Sequence, residues 1–431
     1  MRIINFIQFA LFFLLASAGQ MASAETKDFA QFKAQFKSFA EKERSDFQSY
    51  KINLRKELAR YKAQITGVWG YADVNSGSRL VVYSQDLNEK VLINYTNDEI
   101  FYSSVKPSDI KKAEILLRNT LNTPVSELKH GKSMVSSIQL LKFNPSKGLT
   151  IADSLGIERN AVEALANSIA KESKPVKEYE RVKQNIKALE AAKRQVEHFS
   201  SRVPIEAQQP ELMYLRELNA EQAGAVRYQA ALITKPEKAQ PVTRKVQIKS
   251  TRWKKAAPYR QYVQLQSHKY KIPPSLLFAI METESSFNPM AKSLIPAFGL
   301  MQVVPTSAGV DVNQYLYKNK TPPKKRKLLE PEFNVEFGST YMNLLMNRYF
   351  RQVEDDTSRL YVSIAAYNTG PGNVAKVFND GSSTKLKKAY PRINHIPPEQ
   401  VYEKLRAKAH PETQNYIRKV VEAQKYYEKF I

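Results

Sequence analysis

Hydrophobic positions along the chain fall into two rhythms. Phe29, Phe32, Phe36 and Phe39, then Phe47, Tyr50, Leu54, Leu58, Tyr61 and Ile65, recur mostly every three or four residues. This spacing predicts a long amphipathic helix or helix pair, with a Lys/Glu/Arg-rich polar face and an aromatic stripe that serves as core. From Arg79 the period shortens. Arg79–Ser84, Lys90–Tyr95 and Glu99–Val105 are β-branched and aromatic runs, separated by the turn-rich stretches Gln85–Glu89 and Thr96–Asp98, and they predict an antiparallel meander. Residues 109–121 and 150–199 return to helical patterning, and the charged stretch 175–198 reads as a solvated helix face. Pro204, Pro210, Pro236 and Pro241 punctuate a polar region before Thr243–Lys249, TRKVQIK, which alternates like one more strand. A domain boundary is placed near residue 250.

Beyond that boundary one segment stands out. Pro273-Pro274 can open a helix, and Asn288-Pro289 ends it, because the residue before proline is driven out of the helical region. Within it Leu276, Leu277, Ile280 and Met281 form an apolar stripe, and Glu284 continues that stripe four residues after Ile280. Glu282 is turned roughly 200° away, and its replacement is expected to matter little. A carboxyl group on the core-facing edge, near the negative end of a helix dipole, is disfavoured as an anion on both counts. Its pKa should therefore rise, which suits a proton donor near neutral pH. An ordinary Glu at a helix end would instead reach out to water. Gly299 and the Gly370-Pro371-Gly372 turn are places where backbone can approach a ligand closely.

Length and composition narrow the setting. At 431 residues, 42% hydrophobic and 25% charged, the chain can build at least two cores of about 100–200 residues each. The expected class is α+β: an N-terminal α+β domain over 25–250, made of a long helix plus antiparallel strands, then a mainly α-helical domain over 251–431. Residues 1–24 hold Arg2, an apolar stretch centred on Phe9–Ala18 and the small-x-small triplet Ala22-Ser23-Ala24, the pattern of a cleavable export signal. The apolar stretch is short against the about 20 residues of a membrane-spanning helix. With no cysteine, disulfides, thiolate zinc sites, a Cys nucleophile and an N-terminal lipid anchor are excluded. His130, His198, His268, His395 and His410 show no HExxH spacing, so no metal and no cofactor is expected.

Lys and Arg number 66 against 42 Asp and Glu, a formal +24, and the portion after residue 24 keeps +23 because Arg2 is the one charge before it. Residues 251–431, with 28 basic and 15 acidic side chains, carry +13 of this, so the excess is spread over both halves. The charge favours an anionic partner such as nucleic acid, a membrane surface or an acidic wall polymer, or it serves solubility alone. Export argues against nucleic acid. A periplasmic location with weak, salt-sensitive association to envelope surfaces is expected.

ESSFNP (284–289), GLMQ (299–302), AAYNTGPGNV (365–374) and ETQNYIRKV (412–420) resemble, in order and spacing, the four successive motifs of the soluble-lytic-transglycosylase-type domain of lytic murein transglycosylases. The N-terminal half, with an aromatic-striped helix and a WGY segment before a strand meander, is similar to the N-terminal domain of the membrane-bound lytic murein transglycosylase C group. This sequence lacks the lipid-anchoring Cys typical of that group. The resemblance implies a lysozyme-like C-terminal domain that cleaves the β-1,4 bond between N-acetylmuramic acid and N-acetylglucosamine in peptidoglycan, leaving a 1,6-anhydro end. It makes Glu284 the general acid and then base, followed in its motif by Ser285. Gln302, with Met301 beside it, would line the sugar cleft. Tyr367 and Asn368 would face Glu284, and Tyr416 would close the site. Ser293, nine residues after Glu284, matches a serine that relatives place by the substrate; Ile295 departs from the pattern where many have a second serine.

Ordinary glycosidases use two carboxyl groups. Asp311, Glu330, Glu332, Glu336 and the Glu354-Asp355-Asp356 run are the candidates for a second one, and none sits in a comparably apolar setting. A single acid/base fits capture by the substrate's own 6-hydroxyl. Two other readings use the same residues: a goose-type lysozyme-like hydrolase, and a non-catalytic wall-binding scaffold in which Glu284 is inert. Residues 25–250 present no catalytic constellation and are expected to position rather than react.

Overall fold

The computed structural model describes residues 60–128, 148–158, 161–163, 174–200, 209–234, 240–293 and 297–431. The export-signal reading, most of the aromatic stripe and Ile295 fall outside these residues. Ile65, the last member of the stripe, is 1% exposed.

The sheet has five strands, β1 Arg79–Tyr83, β2 Glu89–Asn94, β3 Glu99–Ser104, β4 Lys174–Val176 and β5 Val242–Gln247, in the order β1-β2-β3-β5-β4. All neighbours are antiparallel. Val81 faces Leu92, Leu92 faces Phe101, and Phe101 faces Lys245. The three meander strands and the strand of the TRKVQIK segment thus form where their β-branched and aromatic runs predict. Helix α1, Ile110–Asn122, packs on β2 and β3 with Ala113, Leu116, Leu117 and Leu121 inward.

Two sequence readings are corrected here. The polar stretch between Pro204 and Pro241 contains α3, Gln209–Thr234, which pairs with α2, Glu178–Ser200. Pro210 sits in the first turn of α3, where its missing N–H costs nothing, and Pro236 lies beyond the helix end. The prolines therefore bracket a helix. Val182, Ile186 and Leu189 of α2 pack with Ala225, Tyr228 and Leu232 of α3 and with Tyr71.

The second correction concerns 175–198. Its N-terminal part is no solvated face, since Glu178 is 1% and Arg181 4% exposed. Lys90 Nζ donates to Asp73 Oδ2 at 2.8 Å and to Glu178 Oε1 at 3.0 Å, while Arg181 donates to Asp73 Oδ1 at 2.8 Å and to Glu178 Oε2 at 2.8 Å. Two cations and two anions balance inside the protein, as buried charges must. Lys90 also lies 4.1 Å from the centre of the Trp69 ring. Within 150–199, β4 interrupts the helical pattern at Lys174–Val176.

The helical part comprises α4 Arg260–Tyr270, α5 Pro274–Ser285, α6 Ala308–Tyr317, α7 Pro331–Leu344, α8 Asp356–Thr369, α9 Pro371–Phe378, α10 Leu386–Asn394, α11 Pro398–Lys408 and α12 Pro411–Tyr427. Among the described residues no helix is long and apolar enough to cross a membrane. Helix α5 is the central element: Leu276, Leu277, Phe278, Ala279, Ile280 and Met281 are each at most 1% exposed, and its main neighbour is α12. Each such large apolar side chain contributes roughly 1.5–3 kcal/mol by leaving water.

The sheet and the helical part share one continuous apolar core. Polar contacts join them as well. Lys255 Nζ reaches Asp98 Oδ1 at 2.8 Å and the Tyr95 carbonyl at 3.3 Å. Asn288 Nδ2 donates to the Gly77 carbonyl at 3.2 Å, and the Thr96 and Ser286 hydroxyls lie 3.4 Å apart.

Candidate active site

Glu284 is the penultimate residue of α5, at the end of the buried stripe. The chain leaves the helix through two successive left-handed residues, Ser286 at φ 53° and Phe287 at φ 67°, before Asn288-Pro289. Phe287 is fully buried, and the Tyr259 hydroxyl donates to its carbonyl at 3.2 Å, so packing holds the reversal in place. Glu284 keeps part of its surface open, but its carboxyl group is enclosed. Burial raises its pKa from the ordinary carboxyl range to about 8; the Tyr416 hydrogen bond opposes the rise, and the Glu412 charge adds to it.

Tyr416, on α12, donates its hydroxyl to Glu284 Oε1 at 2.7 Å. Burial, then the neighbouring Glu284 charge, holds the Tyr416 phenol well above its usual range, so it remains a donor. Tyr367, near the end of α8, instead donates to the Met301 carbonyl at 2.9 Å. Its ring centre lies 5.6 Å from that of Tyr341. Tyr367 therefore joins α8 to the 299–302 loop. Asn368 makes no hydrogen bond to Glu284: its Oδ1 accepts from the Thr413 hydroxyl at 2.7 Å and its Nδ2 approaches Glu412 Oε1 at 3.4 Å.

The 299–302 loop is fixed from beneath. Gly299 has φ 74°, and a Cβ there would stand 2.3 Å from the Leu328 carbonyl oxygen, so only glycine fits. Asn334, on α7 and fully buried, uses its whole amide to tie this loop to the segment that precedes α7. Nδ2 donates to the Phe298 and Leu328 carbonyls, each at 2.7 Å, and Oδ1 accepts the Met301 N–H at 2.7 Å. Met301 is fully buried, its sulfur against Gly338, where a Cβ would come within 2.5 Å. Gln302 is half-buried at φ 45°, with Nε2 bonded to the Gly299 carbonyl at 2.8 Å.

Residues 261–390 match the family described as Transglycosylase SLT domain. That part of the chain is similar to this domain. Among curated proteins, 179 residues are 43% identical to membrane-bound lytic murein transglycosylase C of Pectobacterium atrosepticum, covering 41% of this chain and 48% of that protein. The same protein of Photorhabdus laumondii is 44% identical over 177 residues, covering 40% and 48%. The chain spans about half the length of the curated relatives it matches. Among solved structures, the 70 kDa soluble lytic transglycosylase SLT70 of Escherichia coli aligns at 18% identity and a TM-score of 0.32, covering 75% of this chain and 57% of that one.

Within the helical part, the residues singled out from sequence take different places. Glu284, Tyr416, Tyr367 and the Met301-Gln302 turn converge. Ser285 turns inward: it is 2% exposed and its hydroxyl bonds to the Met281 and Leu300 carbonyls at 3.0 and 2.8 Å, so it ties α5 to the loop rather than facing a ligand. Met301 likewise lies behind the surface. Ser293 bonds with Ala297, closing its own loop: the Ala297 N–H donates to its hydroxyl at 3.1 Å. Several candidate second carboxylates are engaged elsewhere. Asp311 accepts from the Tyr349 hydroxyl at 2.8 Å, Glu330 pairs with Lys327 at 2.8 Å, and Asp355 caps α8 through the Ser358 N–H. The acid whose charge reaches Glu284 is Glu412, absent from that group. Among the described residues, no group of His, Asp and Glu is placed to hold a metal ion.

Glu282 differs from its sequence reading. Its two oxygens accept from Arg252 at 2.7 Å each, and Oε2 also accepts from the Tyr427 hydroxyl at 2.8 Å. The face opposite Glu284 thus binds α5 to the entry of the helical part and to the end of α12. Sequence reasoning also missed Asn334 and Thr413. Nothing periodic marks them; Glu412 and Thr413 could have been found as the opening residues of the ETQNYIRKV motif.

Proposed function

We propose that this chain is a lytic transglycosylase that cleaves the β-1,4 bond between N-acetylmuramic acid and N-acetylglucosamine in peptidoglycan without adding water, leaving 1,6-anhydromuramic ends. The observation that carries this reading is the enclosed Glu284 carboxyl bonded by Tyr416 at 2.7 Å, with no second carboxyl group hydrogen-bonded to it among the described residues. The matches to the SLT domain and to transglycosylase C proteins support it.

In this reading Glu284 enters the cycle protonated, as a pKa of about 8 allows near neutral pH. It gives its proton to the bridging oxygen as the bond from the muramic C1 breaks and the sugar becomes oxocarbenium-like. Tyr416 then stabilises the carboxylate by donating to Oε1. The carboxylate takes the proton of the sugar's 6-hydroxyl as that oxygen closes on C1. The group ends as it began, and no water is consumed. The loop held by Asn334 and Tyr367 supplies a fixed floor, so proximity of O6 to C1 does much of the work.

The proposal extends to residues 251–431 as the catalytic unit and 25–250 as a positioning unit, and to export to the periplasm, supported by the signal-like pattern of residues 1–24. Peptidoglycan strands are its partner. The test is mass spectrometry of muropeptides released from purified sacculi in ¹⁸O water. Anhydro ends without label are expected. Reducing ends carrying ¹⁸O would mean a hydrolase; no release would leave the scaffold reading.

A further inference from the structure

Between α6 and α7 the chain carries Lys318, Lys320, Lys324, Lys325, Arg326 and Lys327, six cations in ten residues, all exposed. Unneutralised cations so close together repel one another, a cost that folding alone gives no reason to bear. Lys327 pairs with Glu330 at 2.8 Å, and Lys325 lies 5.8 Å from the centre of the Phe298 ring. Among the described residues Lys318, Lys320, Lys324 and Arg326 make no ion pair.

The segment is built, not loose. Asn313 Nδ2 donates to the Thr321 carbonyl at 2.7 Å, and the Thr321 N–H donates to Asn319 Oδ1 at 2.9 Å. Pro323 packs so closely on Gly309 that a Cβ there would stand 2.8 Å from the proline ring. At its far end Leu328 is fully buried, and its carbonyl is held by the same Asn334 amide that holds Phe298 and Met301. The cationic strip is therefore clamped to the 299–302 loop at the edge of the candidate cleft.

We propose that this strip binds the carboxylate-bearing stem peptides of peptidoglycan beside the cleft. The inference rests on the peptidoglycan reading above. The N-acetylated sugar strand is neutral, so the anionic groups of this polymer lie on its peptides. A strand seated over the fixed loop would bring such peptides alongside the cations. A preorganised cation row loses little freedom on binding, and attraction between exposed charges fades with salt over a screening length of about 10 Å at 0.1 M.

The experiment is co-sedimentation with purified sacculi, intact or with their peptide carboxyls blocked as neutral amides by carbodiimide and excess ethanolamine, in a Glu284→Gln background so that strands stay whole. The parent protein should bind intact sacculi several-fold more tightly than blocked ones at low salt, and lose that preference at high salt. Lys320→Gln, Lys324→Gln and Arg326→Gln together should remove the preference without lowering the melting temperature, and Lys→Arg at 320 and 324 should retain it. Equal binding to both sacculi by the parent, or an unchanged preference in the triple variant, would overturn the proposal. So would loss of binding to phosphatidylglycerol vesicles with the sacculus preference intact, which would assign the strip to a membrane surface. Muropeptide release tests the cleavage reading separately, so either can fail without the other.

Discussion

Tyr416 donates its hydroxyl to Glu284 Oε1 at 2.7 Å, across 132 positions of sequence. One residue closes a helix and the other lies in the second turn of another, so the pair exists only because α5 and α12 pack along one another. The carboxyl group thereby gains a donor that is buried and neutral.

Replacing Glu284 by Gln keeps the shape and removes the transferable proton. Cleavage of sacculi should fall by about 10²–10⁴ or more, because in the proposed reaction one residue performs both transfers. Muropeptide release against time measures it.

The same substitution should stabilise the protein at higher pH. The Glu284 pKa is raised on folding to about 8, so the contribution of its neutral form is complete below the unfolded value of about 4.3 and is lost as pH rises to about 8. Glu284→Gln should therefore melt increasingly above the parent between those limits and keep a constant advantage beyond them. Melting curves that stay parallel to the parent's at every pH would contradict this.

Tyr416→Phe removes the hydrogen bond that lowers the Glu284 pKa. The high-pH limb of kcat/KM, set in the parent near pH 8, should move upward while the plateau drops about tenfold or more, since a hydrogen bond to a charged group is worth roughly 1.5–3 kcal/mol. A drop without any movement of the limb would give Tyr416 a purely steric role.

Lys90→Met leaves Asp73 and Glu178 buried with only Arg181 to balance them. A loss of about 3–5 kcal/mol is expected in urea unfolding. In the parent, Arg181 and Lys90 hold both carboxyls below their usual range, so their contribution is present above the unfolded value of about 4 and fades as pH falls below it. Acid should accordingly weaken the parent more than the variant.

Residues 251–431 alone should melt below the same part within the full chain. Cutting at 250 uncovers the apolar core shared with the sheet and takes away the partners of Lys255 and Asn288. Comparison of melts, with activity on soluble glycan, separates weakened folding from lost chemistry.

What the sequence made legible follows from periodicity. The strands, α1 and the Leu276–Ile280 stripe with Glu284 at its end each bury one face, and burial writes a period into the chain. The short β4 escaped because Lys174–Val176 has too few residues for alternation, and α3 escaped because its prolines read as breaks. The buried Glu178 and Arg181 look from sequence like any charged helix, as only the distant Asp73 and Lys90 turn them inward. Tyr416 and Tyr367 were marked by motif, yet their separate partners, a carboxyl group and a backbone carbonyl, are set by tertiary packing. The inward turn of Ser285 was equally invisible.

Asn334 uses two donors and one acceptor at a fixed reach, and no other side chain offers that set at the same length. Asp would turn both donors into repulsion, Gln would overshoot, and Leu would orphan all three backbone groups. Mutational tolerance should therefore be lowest at a position that meets no sugar and moves no proton. A deep mutational scan would rank it beside Glu284, and a reader of that scan alone would mistake a joist for a tool.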